Sequence, residues 1–431
     1  MPAVRQLPPT PSLEHLRNEA KALLKAYHAN DADAAARLDR HPRAGDGTKD
    51  EMQLADAQHV LALEYGFHTW RALKDYVASD RAAVEAAVLG GDAEALDRIV
   101  AADPGWRRRR EHWRGYPRYG EAPELLTYAA VCGSVALVDV LLAHGSQSQV
   151  DMPAVFFHCL RTGRFHAADH LLEQCDVEIH HLQEHLYQLT EDLNVGGVRW
   201  LIENGANPDY RRAGTKWTPL HNGIHTYPCL NPNRQQVARI LVEAGANHDD
   251  NALYDLLTGR LDRLTERLDT DPSLVHAHFD LRGGRDTDLE FGAIYGGAPL
   301  ADTTLLHHCA EYGWTEEARF LLERGADPNA RAMPAPDGFN THTAMFHAVT
   351  TNCNVSWDVL TLLVESGADV NARANVRVGE ELRDVTPLGY IDRFPNGYHK
   401  SDTPGDWGAT RDLGPAAHPE VVELLRQHGA N

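Results

Sequence analysis

The stretch TLLHHCAEYGWTEEARFLLERGADPNARA, residues 304–332, decides the architecture. Thr304 precedes an apolar pair, where its hydroxyl can cap a helix, and Leu305, Leu306, Cys309 and Ala310 recur on one face at helical spacing. Gly313 ends that helix. A second run, from about Thr315 to Arg324, carries Ala318, Phe320, Leu321 and Leu322, and Gly325 stops it where a left-handed residue is cheapest. The unit is a pair of short antiparallel helices followed by a polar loop, ADPNARA. Such a pair cannot bury its apolar face alone, so it must stack on copies of itself.

The copies are present. TPLHNGIH (218–225) leads to VARILVEAGAN (237–247), TAMFHAV (343–349) to VLTLLVESGADVNAR (359–373), and TPLGYI (386–391) to VVELLRQHGAN at the end. Pro219 sits at a first helical position, where its missing N–H costs nothing. Weaker versions lie upstream: LLTYAAVCGSVALVDVLLAHGS (125–146), FFHCLRTGRFHAADHLLEQ (156–174) and VRWLIENGANPDY (198–210), with AAVEAAVLGGDAEALDRIVAADP (82–104) as an opening cap.

The phrases TPLH and LLxxGADxN, in that order and at that separation, resemble the ankyrin repeat. The resemblance covers about residues 81–431 as eight or nine units and implies an all-α solenoid of stacked helix pairs, preceded by a separate helical module over residues 1–80. The period is irregular: the turn glycines Gly205, Gly245, Gly325, Gly367 and Gly429 stand 40, 80, 42 and 62 residues apart. The long gaps contain insertions, near 279–303, 331–340, 373–385 and 393–418, and a degenerate unit at 252–275. The N-terminal segment around YGFHTWRALK (65–74) resembles a small helical module often found ahead of bacterial ankyrin arrays. It is expected to seal the open apolar end of the stack.

Composition narrows the function. The 43% hydrophobic and 24% charged content is that of a folded domain, and the formal net charge of -21 argues against a nucleic-acid backbone or an anionic membrane as main partner. No leader of basic residues followed by an apolar run opens the chain, and no window approaches the roughly 20 apolar residues of a membrane span, so a cytoplasmic protein is expected. The six cysteines include no CxxC pair and fall mostly in helical patterns, as core residues do. The run WRRRREHWRGYPR (106–118) is the one strongly basic patch; a partner loop or solvated face is the expected reading.

The resemblance also places the groove: the residues ahead of each first-helix glycine face the concave surface in ankyrin folds. Carried over position by position, this selects Arg161, Glu191 with Asp192, His225, Glu311 with Tyr312, and Arg393. The insertion FDLRGGRDTDLEFGAIYGGAPLADT (279–303) adds Asp286, Asp288, Glu290 and Tyr295 between glycine pairs, and loops this long in compact proteins are usually functional or disordered. Paired acids in such a groove could do the acid–base work of glycoside hydrolysis, although a chain with 62 carboxylates places acids close together by chance. His221 with His225 and His166 with His170 have i, i+4 spacing but lack the HExxH glutamate, so no metal and no cofactor is expected. His221 and His307 hold the TPLH histidine position, which the resemblance makes structural. With no GxSxG, P-loop or GxGxxG after a strand, two functions stay open. One is a protein binding a protein or small ligand in a groove deepened by the insertions. The other is a hydrolase or lyase using carboxylate and histidine acid–base groups there.

Overall fold

The computed structural model describes residues 5, 7, 12–38, 52–117, 122–212, 217–226, 230–281, 298–350, 355–377, 381–391 and 419–431. It divides into two compact units, Met1–Val177 and Glu178–Asn431.

The first unit opens with four helices, Leu13–His28, Ala32–Leu38, Leu54–Glu64 and Trp70–Val77. Ser12 and Thr69 cap two of them through their side-chain oxygens. Leu16, Ala20, Leu61, Ala62, Tyr65 and Leu73 form one apolar cluster, and Leu23, Tyr27, Ala34, Leu38, Ala57 and Val60 form a second. Arg37 then clamps Glu64 with two 2.9 Å hydrogen bonds. Three helix pairs follow: Asp80–Gly90 with Ala93–Ala102, Leu125–Cys132 with Val135–Ala143, and Met152–Arg161 with Phe165–Gln174.

The basic run between the first two pairs keeps Arg108, Arg109 and Arg110 exposed, as a solvated face does, but its aromatic residues are built into the fold. Trp106 and Trp113 are buried, Trp113 stacks on Tyr128 at 5.1 Å, and its indole N–H donates to the Pro123 carbonyl. Its arginines are taken up locally, Arg109 by Asp103 at 3.1 Å and Arg110 by Glu124 at 2.7 Å. The aromatics interleaved in the run therefore anchor a brace across the helix pairs, and the surrounding acids neutralise it.

Among its described residues the second unit holds five helix pairs, Gln183–Glu191 with Val195–Glu203, Pro219–His225 with Arg234–Glu243, Ala252–Leu257 with Leu261–Thr270, Leu305–Tyr312 with Thr315–Glu323, and Ala344–Val349 with Trp357–Glu365, followed by the helices Pro387–Ile391 and Pro419–Gln427. The degenerate unit at 252–275 is thus a true helix pair, closed by a short 3-10 turn at Pro272–His276. Its core-facing leucines, Leu253, Leu256, Leu257, Leu264 and Leu268, are all buried.

To this helical fold the structure adds strands at the insertions. Residues 373–385 contain an antiparallel pair, Ala374–Arg377 (β1) and Glu381–Val385 (β2). Phe279 and Thr303 form an isolated bridge, as do Arg331 and Thr343. At three successive inter-pair loops the described outgoing and returning residues, 279–281 with 298–303, 331–343, and 374–377 with 381–385, are paired in antiparallel fashion, and these paired segments are termed fingers. Asp302, Asn340 and Asp384, one near the return end of each finger, all adopt positive φ, between 51° and 62°. Asp and Asn tolerate that region better than other non-glycine residues, and a single left-handed residue lets a returning strand turn into the next helix.

Neighbouring fingers are hydrogen-bonded to one another. The Met333 N–H donates to the Asp302 carbonyl at 2.9 Å, the Thr341 N–H to the Asn375 carbonyl at 3.2 Å, and the Asn375 N–H to Thr341 Oγ1 at 2.8 Å. Phe339 is buried between the guanidiniums of Arg377 and Arg383, which lie 4.4 and 4.3 Å from its ring. Arg377 also pairs with Asp337 at 2.7 Å.

Candidate functional site

The expected groove positions divide three ways. Asp286, Asp288, Glu290, Tyr295 and Arg393 lie outside the described residues. Arg161 belongs to the first unit, at the end of Met152–Arg161, with its guanidinium 5.6 Å from the Phe157 ring. Glu191, Asp192, His225, Glu311 and Tyr312 all belong to the second unit, and the structure knits several of them into one seam.

That seam runs along the C-terminal ends of three first helices. Thr226, which follows the helix Pro219–His225, donates its hydroxyl to the Glu191 carbonyl at 2.7 Å. Asn222 donates to the Tyr187 carbonyl at 2.8 Å. Beneath them Arg234, buried, donates to the carbonyls of Gly223 (2.7 Å), Ile224 (2.5 Å) and Thr226 (3.0 Å). A cation on the last carbonyls of a helix satisfies acceptors that the helix itself leaves open and complements its dipole. Tyr312 closes the seam: its hydroxyl donates to the Ile224 carbonyl at 3.2 Å and its ring lies 4.6 Å from the Arg234 guanidinium. Trp217 packs beside His225, with ring centroids 5.5 Å apart.

Glu191, Asp192 and His225 remain half-buried, as a groove position requires. Glu311 and Tyr312 do not: both are buried, because the following pair and the helix Pro219–His225 cover them. Sequence position alone could not show this, since the covering groups come from residues 224 and 342–347.

Glu311 belongs instead to a cluster that sequence reading saw only in part. Its Oε2 lies 2.6 Å from His347 Nδ1, and His347 Nε2 lies 3.2 Å from His342 Nε2. His307 meets Thr304 Oγ1 at 2.8 Å and the His342 carbonyl at 3.3 Å, and His308 Nε2 meets Thr303 Oγ1 at 3.2 Å. All four imidazoles are fully buried. Burial first, and then the proximity of His347, hold His307 and His342 well below the usual imidazole range and push His308 down to about 3. His307 is therefore the structural residue its TPLH position implied. His308 is as enclosed as its neighbour. Its Nδ1 has no hydrogen-bond partner among the described residues. The signal that could have exposed the cluster was the HHxxE spacing of His307, His308 and Glu311 ahead of the HTAMFH phrase of the next unit.

Among the described residues, burial raises every cysteine thiol. Burial pushes the thiols of Cys132 and Cys159 up to about 11 and about 12 and that of Cys309 well above its ordinary value, so none is a thiolate at neutral pH. Among the described residues no group of three or more His, Cys, Asp or Glu could hold a metal ion. No helix among them is long and apolar enough to cross a membrane.

The family model "Ankyrin repeats (3 copies)" matches residues 287–374, the segment that carries the buried histidines, the second finger and the buried Tyr312 end of the seam. No curated protein matches the chain. Among solved structures, the human ASB11 ankyrin repeat domain is 16% identical, covering 64% of this chain and 98% of that one at a TM-score of 0.31. The family match shows ankyrin repeats over residues 287–374, and the helix pairs with glycine-ended turns on either side of that segment continue the same mostly helical repeat architecture.

Proposed function

We propose that the chain is a binding protein whose recognition surface is the finger array and the adjoining half-buried seam of the second unit. The observation that carries this reading is the bonding between fingers. Loops held to one another by backbone and side-chain hydrogen bonds form a preorganised surface, which lowers the ordering cost of association. Met333, 53% exposed on the second finger, offers an apolar contact amid charged neighbours. A net charge of -21 favours a protein or small-ligand partner over a nucleic-acid backbone. The four N-terminal helices are best read as closing the apolar end of the first pair, since the helix Trp70–Val77 reaches Asp80–Gly90 through the Tyr76–Glu85 hydrogen bond.

The test is differential capture by the immobilised full-length chain. Met333→Glu should abolish retention of ligands that the wild-type chain holds. Arg319→Glu, on the exposed face of the helix Thr315–Glu323, should leave it unchanged. Equal retention by both variants would reject the finger surface.

A second reading, an enzyme, draws on the Glu311–His347 pair, since a carboxylate aligning an imidazole is a general-base arrangement. Full burial of His347 weighs against it, because a reacting atom must come within hydrogen-bond reach. Turnover of any substrate that disappears in Glu311→Gln while the fold persists would support this reading over the first.

A further inference from the structure

The buried histidines do not lie at random in the repeat core. Each one meets the root of a finger. His308 holds Thr303, where the first finger re-enters the helices, and the Pro299 carbonyl of the same finger is turned toward His342. His307 holds Thr304 and also the carbonyl of His342, where the second finger re-enters. His342 is itself a finger-root residue, and it meets His347 on the following helix. Outside the core, His278 on the outgoing side of the first finger lies 2.8 Å from the Arg331 carbonyl at the start of the second.

Every imidazole in the cluster is fully enclosed, and the only carboxylate hydrogen-bonded to one of them among the described residues is Glu311, on His347. The other titratable or charged groups at this joint are Cys309 on the same helix, Asp302 at the end of the first finger, and Arg331. The Arg331 guanidinium is turned to the carbonyls of Thr341 and Arg373, at 2.7 Å each. Glu311 is thus placed to balance one imidazolium. A proton added to His307, His308 or His342 puts a positive charge in a fully enclosed site where no carboxylate among the described residues is hydrogen-bonded to that ring, and the joint must open to accommodate it.

We propose that this histidine cluster is a pH-sensitive latch that ties the roots of the first two fingers, residues 298–304 and 331–343, to the repeat core at neutral pH and loosens that joint on mild acidification. The latch would regulate the binding surface described above and rests on that reading for its purpose, but its opening is a property of the chain alone. The sign follows from the neutral folded state. A buried histidine whose proton affinity is depressed contributes stability that is present above its ordinary value of 6.5 and lost as pH falls below it. Burial of His307 and His342 acts in the same direction.

Amide hydrogen exchange of the full chain without any partner tests it directly, comparing about pH 7.5 with about pH 5.5 after correction for intrinsic rates. Each imidazole released on opening should raise the opening constant about tenfold at the lower pH, so with His307, His308 and His342 all released, backbone amides such as Thr303, Ala332 and His307 should lose protection by up to about a thousandfold. The helix pair Leu125–Cys132 and Val135–Ala143 in the same sample serves as reference. His308→Gln and His342→Gln, which keep a polar side chain but cannot take up the proton, should each remove about tenfold of that acid response. If either variant fails to fold, nitrogen NMR of the wild-type imidazoles supplies the second readout: His307, His308 and His342 should stay neutral until the fingers open. Unchanged finger protection at both pH values, a full acid response in the glutamine variants, or imidazoles that titrate normally in the closed chain would overturn the latch. None of these outcomes depends on whether a binding partner exists.

Discussion

Arg234 joins two layers of the fold through a guanidinium that satisfies three carbonyls at the end of the helix Pro219–His225 and lies against the Tyr312 ring. Removing it strands buried acceptors, each costing about 1–3 kcal/mol, so Arg234→Met should destabilise the chain by about 3 kcal/mol, read as a lower urea midpoint. Arg234→Lys should recover little, because an ammonium cannot fork over three acceptors. Nothing in the sequence distinguished Arg234 from the other arginines, since its partners are backbone atoms 8 to 11 positions earlier. Glu311 and Tyr312 teach the same lesson. Their place at the end of a first helix was legible from Gly313. Their burial was not, because it depends on where residues 224 and 347 arrive in space.

At the scale of elements, helix pairs were legible almost everywhere, because apolar spacing and a following glycine are local signals. The fingers were legible only as interruptions. What orders them is a set of cross-loop bonds and Phe339, packed between two arginines from the next finger. Phe339→Ala should cost about 3–4 kcal/mol, with the loss confined to faster amide exchange in residues 373–385 and their neighbours. The joint between the N-terminal helices and the first pair makes a prediction of opposite sign to the histidine latch. Glu85 is buried among Tyr76, Arg81 and the Arg114 N–H, and burial raises its carboxyl to about 7. A carboxyl raised above its unfolded value of 4.5 contributes stability that is complete at low pH and lost as pH rises through about 7. Protection of the helix Asp80–Gly90 should therefore fall between about pH 5 and about pH 7.5, by up to about 1.4 kcal/mol per unit, and Glu85→Gln should flatten that slope. Fingers that loosen in acid and a joint that tightens in acid can be separated in one exchange experiment.

For the whole molecule, repetition builds the frame and interruption builds the surface. The spacing of the turn glycines announced both, since gaps of 80 and 62 residues cannot be single repeats. One of those gaps held a helix pair too degenerate for its turn to be recognised by the GA signature, yet its leucines kept the helical period. The account's central claim is that partners meet the fingers and not the outer helices. A photoreactive residue placed at Met333, or alternatively at Arg319, and irradiated in the presence of cell extract tests it most directly. Covalent adducts from position 333 and none from position 319 are expected; adducts formed only from 319, or equally from both, would contradict the claim.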